Sequence, residues 1–120
     1  MTRARKELGS WGEEQAKQYL IKEYGYKLLN QNWRNRAGEI DLIMLDRDTL
    51  VFIEVRTKSS ITYGTSIESL TPQKKNKLKR MASHYIQYKN CWEREIRFDF
   101  IAIDKLQNET KITYIKEIII

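Results

Sequence analysis

The chain has 120 residues, enough for one compact domain and too few for two ordinary ones. Hydrophobic residues make up 41% and charged residues 32%, and 22 basic against 16 acidic side chains leave a net charge of +6, a balance that favours a polyanionic partner, nucleic acid before an anionic membrane surface. The single cysteine, Cys91, excludes an intrachain disulfide and a Cys-rich zinc site, and the single histidine, His84, leaves little room for His-based metal ligation or a Ser/His/Asp triad.

In chain order, Met1 to Glu7 is basic with no apolar run behind it, and no segment approaches the roughly 20 apolar residues of a membrane span. The expected location is therefore the cytoplasm, with no membrane partner. Residues from about Lys6 to Tyr24 carry Leu8, Trp11, Gly12, Ala16, Tyr19, Leu20 and Tyr24 at helical spacing, and Gly25 is placed to end that helix. Tyr26 to Asn35 reads as a strand with Tyr26, Leu28 and Trp33 as packing residues. Arg36-Ala37-Gly38 is a turn, and Glu39 to Leu45 is a second strand. Asp46 to Thr49 is a hairpin turn into a third strand, Leu50 to Arg56, so the second and third strands should be antiparallel neighbours. Thr57 to Leu70, with Ser59, Ser60, Gly64, Thr65 and Ser66, reads as a loop, in which Tyr63 and Gly64 either cover a substrate or merely connect. Thr71-Pro72 opens a second helix with Thr71 as N-cap, Leu78, Met81, Ala82, Tyr85 and Ile86 as its apolar face, and an end near Lys89-Asn90. Ile96 to Asp104 is a strand with Phe98, Phe100 and Ala102 on one face, and Lys111 to Ile120 a last strand. The expected order is α-β-β-β-α-β-β, one mixed central sheet flanked by helices, in a single domain spanning residues 1–120.

The chemistry concentrates in two strands. Residues two apart in a strand share a face, so Glu39 and Asp41 point to one side, with Ile40 and Leu42 on the other. In the next strand Glu54, Arg56 and Lys58 share a side, opposed by Ile53 and Val55. Burying a carboxylate is costly unless something pairs with it. Adjacent strands that both carry acids therefore suggest a shared cation, and oxygen-rich sites of this kind suit Mg²⁺ or Mn²⁺. An ion there would activate water and stabilise charge on a phosphate. The alternative is an exposed face laced with cross-strand ion pairs such as Asp41 with Arg56, which contribute little. Against that alternative, Val51, Phe52, Ile53 and Val55 read as a central strand buried on both sides. On the first helix Glu13 edges the buried face, three residues before Ala16 and seven before Leu20, whereas Glu14 falls with Lys17 and Gln18 on the wet side. Glu13 is thus a third contributor to the site or an exposed helix-start carboxylate.

Lys74, Lys75, Lys77, Lys79 and Arg80 place five cations in seven residues with no acid between them. Arg3, Arg5 and Lys6 form a second basic cluster, and Arg34 and Arg36 a third. Basic residues on several elements suit a surface that tracks a nucleic-acid backbone without reading bases; a solvated helix face is the plainer alternative. Trp33, beside Arg34, either stacks on an unpaired base or completes the core edge.

Gly9-Ser10-Trp11-Gly12-Glu13-Glu14-Gln15-Ala16, Gly38-Glu39-Ile40-Asp41-Leu42-Ile43, Val51-Phe52-Ile53-Glu54-Val55-Arg56-Thr57 and Arg97-Phe98-Asp99 together resemble the YraN-like family of uncharacterised bacterial proteins, from about residue 5 to 104. That family is similar to archaeal Holliday junction resolvases and to the restriction-endonuclease-like, PD-(D/E)xK nuclease fold. The resemblance implies that Asp41 and Glu54 are metal-binding acids, that Glu13 matches the helix glutamate of resolvase-like members, and that Gln73 and Lys74 lie near the site and the phosphate backbone. Arg56 takes the place where most nucleases of this fold carry a catalytic Lys. Arginine keeps the charge but does not give up its proton, and Lys58 shares the strand face two residues on.

The combined expectation is a restriction-endonuclease-like α/β domain that binds nucleic acid, with branched or otherwise non-B DNA as substrate and Mg²⁺ or Mn²⁺ as cofactor. Asp41, Glu54 and Glu13 would hold the ion, Glu39 would assist, and Arg56 or Lys58 would stabilise the transition state. Gln73, Lys74, Lys75, Lys77, Arg34 and Arg36 would contact the nucleic acid. The alternatives are a non-catalytic binding module of the same fold, favoured by Arg56, and an interaction scaffold that offers Ile115 to Ile120 as a sheet edge; the same edge would also serve a homodimer.

Overall fold

A computed structural model describes residues 3–59 and 69–120. The elements are α1 (Arg3–Tyr24), β1 (Lys27–Asn35), β2 (Gly38–Asp46), β3 (Thr49–Lys58), α2 (Pro72–Lys89), β4 (Ile96–Lys105) and β5 (Thr110–Ile115). The strands form one sheet in the order β1-β2-β3-β4-β5. All neighbours are antiparallel except β3 and β4, which run parallel, with α2 in the crossover. This is the mixed α/β sheet flanked by helices, in the order α-β-β-β-α-β-β, that the sequence predicts. Neither helix is long and apolar enough to cross a membrane.

Each helix covers one face of the sheet. Ala16 and Leu20 of α1 pack with Leu42, Met44, Val51, Ile53, Ile101 and Ile103. Leu78, Met81, Ala82 and Tyr85 of α2 pack with Ile40, Ile43, Leu50, Phe52 and Phe98. β3 is thereby buried on both sides, as its run of apolar residues indicates. α2 is stopped at both ends by its own sequence. Thr71 is its N-cap, with Oγ1 accepting the Lys74 N–H at 3.3 Å and Pro72 opening the first turn. Asn90 takes a left-handed conformation (φ 53°) that ends it, and the Cys91 N–H returns to the Ile86 carbonyl at 3.1 Å.

Four details differ from the sequence expectation. α1 starts at Arg3, with an Arg3–Glu7 pair one turn apart on its exposed first turns. Thr57 and Lys58 belong to β3, held by parallel pairing to Ile103 and Asp104; of the rest of the expected loop, residues 60–68, including Tyr63 and Gly64, lie outside the described residues, and Leu70 at its end is buried. Ile40 and Leu42 do not share a face, since Ile40 packs on the α2 side and Leu42 on the α1 side. The ladder between β2 and β3 begins only at Leu42 and Ile53, and on the other side β1 pairs around Asp41 at Trp33–Ile40 and Gln31–Leu42 with left-handed Asn32 (φ 54°) opposite it, so the pleat is broken at Asp41. The last strand stops at Ile115 instead of running to Ile120. Glu117 bends the chain (φ 56°), its N–H donates to Asp99 at 2.9 Å, and the Ile118 N–H donates to the Phe98 carbonyl at 2.8 Å. Ile118 and Ile120 thus pack on the core beside α2, and the C-terminal run is not an open sheet edge.

Candidate metal centre

The break at Asp41 lies at the end of the sheet where β2 begins and β3 ends. One ligand oxygen each from Glu13, Glu39 and Asp41 gathers there, all within 4.8 Å of one another. Oxygens on opposite sides of an ion with bonds of about 2.0–2.6 Å are about 4–5 Å apart, so the three carboxylates form a cluster that can coordinate a divalent cation. The donor set is all oxygen, which suits a hard ion and leaves positions for water.

Three elements deliver these side chains. Glu13 reaches the sheet because α1 seats directly on β3 at Gly12. A Cβ at Gly12 would collide with Thr57 Oγ1 and lie 2.6 Å from its Cγ2. Asn32 of β1, in a left-handed conformation (φ 54°), donates from Nδ2 to Glu13 Oε1 at 2.6 Å and holds the carboxylate inward. Glu39, next to the β1–β2 turn, pairs with Arg34 at 2.9 Å. Asp41 accepts the Val55 N–H at 2.8 Å, which ties the acid of β2 to the backbone of β3 at the point where their ladder stops.

The electrostatics are those of acids held together without enough compensating charge. Burial, then the neighbouring Glu54 charge, pushes the Asp41 carboxyl up to about 9, despite the opposing Val55 N–H. Glu54 is also raised, chiefly by burial. A hydrogen bond shared with Asp41 and the positive charges of Lys74 and Arg56 pull it back, against the charge of Glu39. The contact between the two carboxyls raises Asp41 and lowers Glu54. Glu13 is raised as well, by burial first, with Asn32 opposing and Glu39 and Glu54 adding to the shift. Glu14, one residue on, behaves in the opposite way. It is lowered by hydrogen bonds from Lys17 and Gln18 at the surface, as its position on the wet side of α1 predicts. Among the described residues Asp41 makes no ion pair with Arg56 or any other cation; the cross-strand pair that does form at this end of the sheet is Arg34–Glu39, at its exposed rim.

Residues 12–103 match the family described as "Uncharacterised protein family UPF0102". The chain belongs to UPF0102. It is similar to a UPF0102 protein of Syntrophomonas wolfei, 42% identical over 110 residues covering 92% of this chain and 95% of the relative. It is likewise similar to one of Dehalococcoides mccartyi, 44% identical over 112 residues covering 93% and 92%, and to one of Legionella pneumophila, 46% identical over 111 residues covering 92% of each. The family match starts at Gly12, the contact that sets Glu13 into the site, and runs through β4.

In this UPF0102 chain the other residues singled out by sequence take the following places. Arg56 is exposed on β3, two residues beyond Glu54. Lys58 follows on the same strand, roughly 13 Å along it from Glu54 at 3.3 Å per residue. Gln73, Lys74, Lys77, Arg34 and Arg36 are exposed, and Lys75 is half-buried. Lys77 lies across the turn into β2, its Cε in the space that a Cβ on Gly38 would need. His84 is a core-edge residue within hydrogen-bonding distance of Asn35, at 3.0 Å. Sequence reasoning missed Asn32; its only signal was an Asn, a residue that tolerates φ > 0, in the middle of an otherwise extended segment. It also missed the second polar centre of the fold. At the hairpin end of the sheet, fully buried Asp99 accepts from Arg97 Nε (2.9 Å) and Nη2 (3.0 Å), from the Tyr114 hydroxyl and from the Glu117 N–H. Arg97 also reaches Asp46 (2.7 Å) and the Tyr26 hydroxyl (2.9 Å).

Proposed function

We propose that this protein is a nucleic-acid-binding, metal-dependent endonuclease, with residues 1–120 forming a single restriction-endonuclease-like domain in the cytoplasm. The observation that carries the reading is the convergence of Glu13, Glu39 and Asp41 on one point, with Glu54 joined to it through Asp41, beside the cationic first turn of α2. Acids that repel one another at a broken strand are retained for a use other than stability. The sequence likeness to Holliday junction resolvases supports branched DNA as the substrate class.

In this reading Asp41, Glu13 and Glu39 would hold Mg²⁺ or Mn²⁺, and Glu54, beside Asp41, would complete the set. The ion, when bound, supplies a Lewis acid and a water of lowered pKa. The chain's own contribution is positional. Asp41, tied to the Val55 N–H, fixes the ligand oxygens, and Asn32 orients Glu13. A water gives up a proton to solvent as its oxygen bonds to phosphorus, the ester P–O bond breaks, and the leaving oxygen takes up a proton from solvent. The Arg56 guanidinium stabilises the charge that builds on the phosphate oxygens. Arg34, Arg36, Gln73, Lys74, Lys75 and Lys77 bind the backbone, and Lys58 meets the strand further out. A homodimer would let two such sites nick opposite strands.

One observation favours a second reading. Arg56 stands where a water-activating Lys is expected, and an arginine does not accept a proton. A binding module without turnover would keep the same basic surface and ion.

Incubating the protein with a four-way junction, a flap and a single strand, in Mn²⁺ or in chelator, tests both. Cleavage in Mn²⁺ that disappears in chelator and in Asp41→Asn supports the nuclease. Binding without cleavage supports the module. Cleavage by Asp41→Asn at the wild-type rate would remove the metal centre from the account.

A further inference from the structure

Outside the acid cluster, the surface that no role yet uses runs along α2 beyond Lys77. α2 contains no acidic residue. From Lys77, which lies across the turn into β2 beside Glu39, the helix passes a shallow depression of about 460 Å³ that includes Lys79, Arg80 and His84. Near its C-terminal end stands Tyr88, 71% exposed. Roughly 16 Å of helix separates Lys77 from Tyr88 at 1.5 Å per residue.

Tyr88 is the outer member of an aromatic set built on the edge strand. Its ring lies 6.1 Å from that of Trp33, and Trp33 meets Tyr85 edge-on at 5.2 Å and 89°. Tyr85 is itself anchored by its hydroxyl, which donates to Asn30 Oδ1 at 2.8 Å. The inner rings are therefore fixed, while the outermost is left in solvent with the Lys89 ammonium 5.5 Å from its centroid. A fixed aromatic platform with an open outer ring, at the end of an acid-free basic track, is complementary to a phosphate backbone that presents unpaired bases. Every base has a π-face, so stacking recognises single strands without sequence preference. A duplex keeps its bases stacked inward and gains nothing from Tyr88.

We propose that the α2 surface from Lys77 to Tyr88 is a binding track for a single-stranded segment of the nucleic acid, with an unpaired base stacked on the Tyr88–Trp33 platform. The proposal rests on the nucleic-acid reading above and narrows it to substrates with a single-stranded arm next to the acid cluster.

The test measures fluorescence anisotropy of labelled DNA in chelator, with three probes: a blunt hairpin duplex, the same duplex with a single-stranded tail of twelve thymidines, and the tail alone. Wild type should prefer the tailed duplex to the blunt one. Tyr88→Ala should lose roughly 5- to 100-fold on the tailed probe and the free tail, the range for one stacked base, and stay unchanged on the blunt duplex. Tyr88→Phe should restore binding, because the ring and not the hydroxyl carries the contact. Because Tyr88 is mostly solvent-exposed, its removal leaves the core intact. Equal affinity of wild type for blunt and tailed duplex, or an unchanged tail preference in Tyr88→Ala, would overturn the track while leaving the nucleic-acid reading in place. Failure of wild type to bind any of the three at low salt would overturn both.

Discussion

The two ends of the central sheet hold buried carboxylates on opposite terms. At the hairpin end, Asp99 has no exposed surface, and every contact it makes is from a donor: a bidentate guanidinium, a phenol and a backbone N–H. Arg97 gains in turn. Burial acts against its charge, but the bonds to Asp99 and Asp46 outweigh it and raise its pKa further. At the other end, Asp41 is surrounded mainly by other acids, and its proton is held far above the ordinary carboxylate range. Both sites bury a carboxyl, but only the first supplies a cation within the chain to keep it ionised; the second stays neutral by holding its proton. The first is a structural lock and the second a cluster of acids without a matching cation, an asymmetry that burial alone does not reveal.

The largest effect should come from breaking the lock. Arg97→Met leaves Asp99 buried without its cation and should cost about 3–5 kcal/mol in urea unfolding. A loss below about 1 kcal/mol would mean that the hairpin end is not compensated as described. Next is Gly12→Ala. The added methyl meets Thr57 and should push α1 off β3, with a stability loss of about 1–3 kcal/mol and weaker Mn²⁺ binding, since Glu13 moves with the helix. Stability loss with undiminished Mn²⁺ affinity would detach Glu13 from the ion.

Asp41→Asn should do the reverse of the Arg97 change. The amide still accepts from Val55 and still donates to Glu54, but carries no charge. The folded-state pKa of Asp41 is about 9, above its unfolded value near 4. The folded protein therefore holds a proton that the unfolded chain releases. This stabilisation is complete below about pH 4 and is lost as pH rises toward 9. The metal-free protein should melt at progressively lower temperature across that window. Asp41→Asn should flatten the slope and gain on the order of 1 kcal/mol at pH 8; an identical slope in the two proteins would place the titration elsewhere. The smallest effect belongs to Arg34→Ala. Its exposed pair with Glu39 contributes at most about 0.5 kcal/mol to stability. Removing a positive charge from beside the acids should instead tighten Mn²⁺ binding, by roughly twofold, as read by isothermal titration.

The fold was largely legible because its local signals agree with its packing. Thr71-Pro72 and Asn90 bracket α2, and the alternation in β2 and the continuous apolar run in β3 match one-sided and two-sided burial. Asp41 and Glu54 stood out as acids inside largely apolar strands, whereas Glu39 lies at an exposed position where a charge is ordinary. What was hidden depends on distant partners. Nothing near Asp41 in sequence announces that the β2–β3 ladder stops beside it, so simple alternation put Ile40 and Leu42 on one face. The isoleucines at the C-terminus read as strand because apolar runs carry no periodicity of their own, and their bend is dictated by Asp99 and the Phe98 carbonyl. Gly12 looked like one more small residue on a helix face until Thr57 was seen against it.

The proton that Asp41 holds far above the ordinary carboxylate range has a consequence for measurement. Any divalent ion that enters must displace it into the medium, so heats of association taken by calorimetry at pH 7.5 should differ between Tris and phosphate, in proportion to the ionisation enthalpy of each buffer. The slope of that dependence counts the protons expelled, and so reports on the acid pair even in a protein that never turns over a substrate.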